Sequence, residues 1–124
     1  MNPKKINQFI YGGVAAGVAL HASTAFYQSS EGPNAFTLLL MAWSIVPYFV
    51  ALLMVPMNHS IKALGFLCAI LIIDVWTYFD VFVFPSKSTA AIGLLFAPLT
   101  NMIIFGPLGC LIAWFFFERK RKTT

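Results

Sequence analysis

The sequence predicts an all-α integral membrane protein: a single domain forming an antiparallel bundle of four transmembrane helices, with both termini cytoplasmic (N-in/C-in). Three observations predict it. Of 124 residues, 60% are hydrophobic and only 10% charged, whereas ordinary soluble domains carry roughly 25% charged residues. That leaves too little polar surface to cover a water-soluble globule. Charge-free apolar runs of about 18 residues or more read as membrane spans, and such runs occupy most of the chain. Finally, Lys and Arg gather on one side of those runs, as the positive-inside rule requires of cytoplasmic segments.

The spans are expected at about 9–27, 35–55, 63–84 and 90–117. At ~1.5 Å per residue the third covers ~33 Å, matching a hydrocarbon core of ~30 Å. The fourth is longer, so it is expected to tilt or to begin outside the core, with Pro98 and Pro107 kinking it. The connections carry turn chemistry: Gln28 to Asn34, Pro56 to Ser60 and Pro85 to Ser88, with Asn34, Ser60 and Ser88 expected as caps. Loops this short force successive helices to lie antiparallel and adjacent. There is no internal repeat, no linker and no room for a separate soluble domain.

Orientation follows from the basic residues. Lys4, Lys5, Lys62 and the run Arg119-Lys120-Arg121-Lys122 fall on one side of a four-span topology, and Lys87 alone falls on the other. The formal charge of +4 raises the question of nucleic-acid binding. Half of the basic residues abut the apolar end of the fourth span, however, which is a topology and lipid-headgroup signal, and no nucleic-acid-binding signature accompanies it. Lys4-Lys5, the apolar stretch after them and His21-Ala22-Ser23-Thr24-Ala25 also resemble a signal peptide with a small-residue cleavage region. The apolar stretch continues through Ala25-Phe26-Tyr27, which favours a retained span.

Ionisable groups at bilayer depth are the informative features, since each costs about 2.5–3.5 kcal/mol at a helix centre on insertion scales. The third span holds Asp74 near its middle and Asp80 further out, about 120° apart around the helix axis at ~100° per residue. Thr77 lies between them and Tyr78 four residues after Asp74. By residue count, His21, Ser44, Thr100 and Asn101 reach similar depth. The expected candidate site is therefore an outward-facing intramembrane polar pocket of His21, Ser44, Asp74, Thr77, Tyr78, Asp80 and Asn101. Two roles compete for it: hydrogen bonding that holds helices together, or a substrate, ion or proton site centred on Asp74.

Small residues suggest close helix packing. Gly13-xxx-Gly17, Gly93-xxx-Ala97 and Gly109-xxx-Ala113 are small-xxx-small patterns, which let backbones approach within the bundle or between copies. Cys68 and Cys110 are expected as small buried residues close to each other across the third and fourth spans, without the C-x-x-C spacing of a redox pair. His59 stands without Cys or carboxylate companions, and neither a metal site nor a cofactor is expected. The deep Trp43 and Trp76 are expected to pack, and Trp114 and Tyr27 to sit at the interfaces.

In size and span count the chain resembles the small multidrug-resistance transporters. That family is characterised by a Glu in its first membrane helix, and 9–27 contains no acidic residue, so its mechanism is not carried over. The missing C-x-x-C excludes membrane disulfide-forming enzymes. The first functional expectation is a non-enzymatic accessory or interaction protein of a bacterial inner membrane. Its partners would be the lipid bilayer and either its own copies, as a homo-oligomer, or another membrane protein. The alternative is a small oligomeric transporter or proton-coupled carrier using Asp74. A lipid-modifying enzyme ranks last, because no activated nucleophile or metal-ligand set accompanies His21 and the aspartates.

Overall fold

The computed structural model describes residues 2–27, 35–83 and 90–120. All of its regular structure is helical: α1 (Pro3–Tyr27), α2 (Ala35–Met54), α3 (Ser60–Tyr78), α4 (Ala90–Thr100) and α5 (Gly106–Ala113). Three π-helical turns, Phe79–Val83, Asn101–Phe105 and Trp114–Glu118, extend α3, join α4 to α5 and extend α5. The expected caps Asn34 and Ser88 lie outside the described residues, as do Lys87 and the rest of the turns Gln28 to Asn34 and Pro85 to Ser88.

Local chemistry explains the helix starts. Asn2 accepts the Lys4 amide on its side-chain oxygen at 3.0 Å, and Pro3 follows as the first helical residue, where its missing N–H costs nothing. Between α2 and α3, Asn58 takes a positive φ of 61°, a conformation asparagine tolerates better than most residues. The His59 amide then reaches the Met54 carbonyl at 3.1 Å. His59, not Ser60, occupies the N-cap position of α3, without a side-chain cap bond. The tight turn set by Asn58 places Ser60 one residue too far along to cap.

Three segments are long and apolar enough to cross a membrane: Ala35–Met54, Ser60–Val83 and Leu95–Glu118. The 24 residues of each of the last two cover about 36 Å. α1 has 25 residues but is not among the three. It carries Lys4, Lys5, Asn7 and Gln8 in its first turns and His21, Ser23 and Thr24 near its end, with glycines between. Its length suits a span, while its composition is more polar than that of its neighbours.

α3 is the hub, packing against α1, α2, α4 and α5. Ile6, Ile10 and Val14, one turn apart on α1, form one buried core with Tyr48 and Ala51 of α2 and with Ala63, Phe66, Leu67 and Ile70 of α3. The opposite faces are apolar too: Trp76, expected to pack, is instead 73% exposed, and Leu39 and Phe9 are 71% and 68% exposed. Exposed apolar area on this scale exceeds what soluble monomers tolerate and suits a hydrocarbon surround.

The glycines show how closely the helices approach. Gly65 of α3 and Gly109 of α5 meet backbone to backbone, and a methyl on either would strike the other's carbonyl. A methyl on Gly65 would also lie 2.5 Å from the Ala113 side chain, and one on Gly109 would lie 2.8 Å from that of Ala69. The Gly109-xxx-Ala113 pattern is thus used inside the chain, with Gly65 as its unanticipated counterpart. Gly13 receives the Leu67 side chain and Gly17 the Tyr48 ring. The packing of Gly93 lies outside the described residues. Cys68 is exposed, contrary to expectation. Cys110 is half-buried, and both thiols are free. The small helix–helix contact is made by Gly65 and Ala69 instead, which turns the adjacent Cys68 outward.

Candidate functional site: a carboxylate shared by four helical segments

Asp74 sits on the inward face of α3, 5% exposed, and its two oxygens receive side chains from three other segments. Asp74 Oδ2 accepts the Tyr48 hydroxyl from α2 at 2.6 Å and lies 3.0 Å from Nε2 of His21 on α1. Asp74 Oδ1 accepts the Asn101 amide at 2.7 Å. An ionised carboxylate has roughly four acceptor positions, so most of its capacity is met. Bonds to a charged acceptor are the strong class, and in a dry surround an unpaired carboxylate is costly.

Each donor is positioned by its own helix. The His21 ring packs edge-on against the Tyr48 ring, with centroids 5.8 Å apart. The Tyr48 ring fills the space left by the absent side chain of Gly17, and Tyr48 is wholly buried. Asn101 opens the π turn between α4 and α5, whose wide loop is closed by the Gly106 amide donating to the Asn101 carbonyl. Pro98 and Pro107 flank this turn, and each removes a backbone donor from the helical ladder. π turns insert into a helix where its ladder is interrupted and often mark functional positions. Where the prolines predict a kink the chain forms this π turn, from which Asn101 reaches Asp74 of α3.

A small cavity of about 20 Å³ adjoins the carboxylate, bordered by His21, Thr24, Ser44, Asp74, Thr77 and Tyr78 together with apolar neighbours. That is room for about one water molecule. Thr77 and Thr24 spend their hydroxyl protons on the carbonyls of Ile73 and Leu20, at 2.8 and 3.1 Å, leaving their oxygens able to accept. Ser44 is buried one helical turn from Tyr48. The Tyr78 ring packs against Phe82 at 5.3 Å, closing one side.

The structure thus brings together His21, Asp74 and Asn101 by direct bonds, and Ser44, Thr77 and Tyr78 around the adjoining cavity. Asp80 is not among them. It lies in the π turn after α3, exposed, and borders a surface groove with Ile72, Val75, Trp76 and Phe79. The angular offset between the two aspartates, carried through the π turn, sends them to different faces. Tyr48 is the site residue that sequence reading missed. A side chain on a helix leans toward the helix N-terminus, so the hydroxyl acts about one turn from where a residue count places it. The usable signals were Ser44 four residues earlier and Gly17 at the matching depth of α1.

The Asn101 amide has one unmet need: its oxygen is buried with no hydrogen-bond partner. At the other end of the bundle, Lys62 lies 3.7 Å from Glu118, and the Cys110 thiol donates to the Lys62 carbonyl at 3.4 Å. Comparison with known proteins finds no match to this chain among protein-family models, curated proteins or solved structures.

Proposed function

We propose that this chain is a four-span protein of a bacterial inner membrane, with an antiparallel bundle and both termini cytoplasmic. We propose that it acts as an accessory or interaction protein through helix–helix contacts with its own copies or another membrane protein. One observation carries the reading: the Asp74 carboxylate is already bonded by Tyr48, His21 and Asn101, beside a cavity of only about 20 Å³. These polar groups serve cohesion, and a substrate-sized chamber is not what they enclose. The apolar outer faces are then the working surfaces. The test is crosslinking and affinity capture from native membranes. A stable complex supports the reading. A purified protein that is monomeric, and that crosslinks to nothing in its own membrane, sinks it.

A second reading has its own support. His21, Asp74 and Tyr48 form a continuous hydrogen-bonded set beside a water-sized void that Thr24, Ser44 and Thr77 also border, which is the layout of a proton relay. Reconstitution into liposomes containing a pH-sensitive dye tests it. Unchanged proton flux in Asp74→Asn removes it.

A further inference from the structure

A groove of about 860 Å³ runs between α3 and α5 and shares no lining residue with the cavity beside Asp74. Its floor is built from Gly65 and Ala69 of α3 and Gly109 and Ala113 of α5, and its one charged lining residue, Lys120, stands at the end where the basic run begins. We infer that this groove binds one acyl chain of an anionic phospholipid, whose headgroup phosphate is held at Lys120.

Size, charge and shape favour that occupant. From Gly109 to Lys120, eleven helical residues span about 16 Å, close to the ~15 Å depth of one hydrocarbon leaflet. A chain lying on the glycine floor therefore ends where a headgroup begins. Basic pockets between membrane helices on the cytoplasmic side are suited to anionic headgroups. The neighbouring acid, Glu118, lies 3.7 Å from Lys62, and Arg119 and Lys120 follow it directly, so the described basic residues at this end of the chain outnumber the acid. A second copy packed here in parallel would bring two such basic runs together, a like-charge contact that a lipid phosphate avoids.

This inference rests on the membrane-spanning reading and is separable from it. Native mass spectrometry of the detergent-purified protein, after equilibration with equal amounts of phosphatidylglycerol and phosphatidylcholine, reads both lipid number and oligomeric state. One phosphatidylglycerol retained per chain, in preference to phosphatidylcholine, is expected. Lys120→Gln should lower that preference about fivefold, the effect of one cation at a membrane surface, while Lys4→Gln, an equal charge removed from an exposed position outside the groove lining, should leave most of it. Cys68→Trp, which fills the groove from an exposed lining position, should release the lipid without lowering the thermal unfolding temperature. Equal losses in the Lys120 and Lys4 variants would mean a diffuse surface charge and overturn the assignment. So would equal retention of both lipids, or a dimer that excludes lipid. A protein that stays dispersed without detergent would instead refute the membrane reading itself.

Discussion

The Tyr48 hydroxyl donates to Asp74 Oδ2 at 2.6 Å, and this bond ties the second helix to the third deep in the bundle. Tyr48→Phe keeps the ring in place against Gly17 and removes only the donor. The carboxylate oxygen then depends on His21 alone. Loss of about 1–2 kcal/mol of stability is expected, measured as a shift in SDS-induced unfolding in micelles. Asp74→Asn replaces the carboxylate acceptor with a neutral amide, and the two substitutions together should cost less than their sum, because both act on the same bond. Additive effects would show that the bond contributes little.

Gly17 and Gly12 lie five residues apart on α1 and make opposite predictions. A methyl on Gly17 would run into the Tyr48 ring, whereas nothing lies within 4 Å of one on Gly12. The ring has little freedom to move aside, since its hydroxyl is engaged by Asp74. Gly17→Ala should therefore cost about 1–3 kcal/mol by overpacking, and Gly12→Ala should be neutral or slightly stabilising through helix propensity. Thermal unfolding of both variants in the same detergent checks this, and equal effects would contradict the packing.

The composition made the helices and most of the polar cluster legible, since apolar runs and buried ionisable residues announce themselves one at a time. His21, Asp74 and Asn101 stood out because each is costly in hydrocarbon. Tyr48 did not, because an aromatic residue is ordinary in a membrane helix and its reach is set by side-chain tilt. The separation of Asp80 from Asp74 depended on a π turn with no clear sequence mark. The Gly65–Gly109 contact was half visible: Gly109-xxx-Ala113 is a pattern, while Gly65 acquires its meaning only from the helix opposite.

Asn101 offers a reciprocal test of the shared carboxylate. Asn101→Asp would set a second carboxylate against Asp74 Oδ1, where the Asn101 amide now lies at 2.7 Å. Two like charges at that distance in a dry site are strongly unfavourable, so poor insertion or a loss beyond about 3 kcal/mol is expected. Combining it with Asp74→Asn restores one amide facing one carboxylate and should recover part of the stability. Expression level and unfolding midpoint of the three variants would report this. A double variant worse than Asn101→Asp alone would show that the amide–carboxylate contact does not set the site's stability.

Gly65 and Gly109 press their backbones together, so each one's missing side chain is needed by the other's carbonyl. A carbonyl cannot rotate aside as a flexible side chain can, and α3 and α5 would have to separate along their length. Gly65→Ala and Gly109→Ala should each cost about 1–3 kcal/mol. Separation caused by either substitution also makes room for the other, so the double variant should cost clearly less than the sum, by about 0.5 kcal/mol or more. Unfolding midpoints of the two single variants and the double variant decide it. Strict additivity would mean that the two glycines occupy independent sites, contrary to the contact between them.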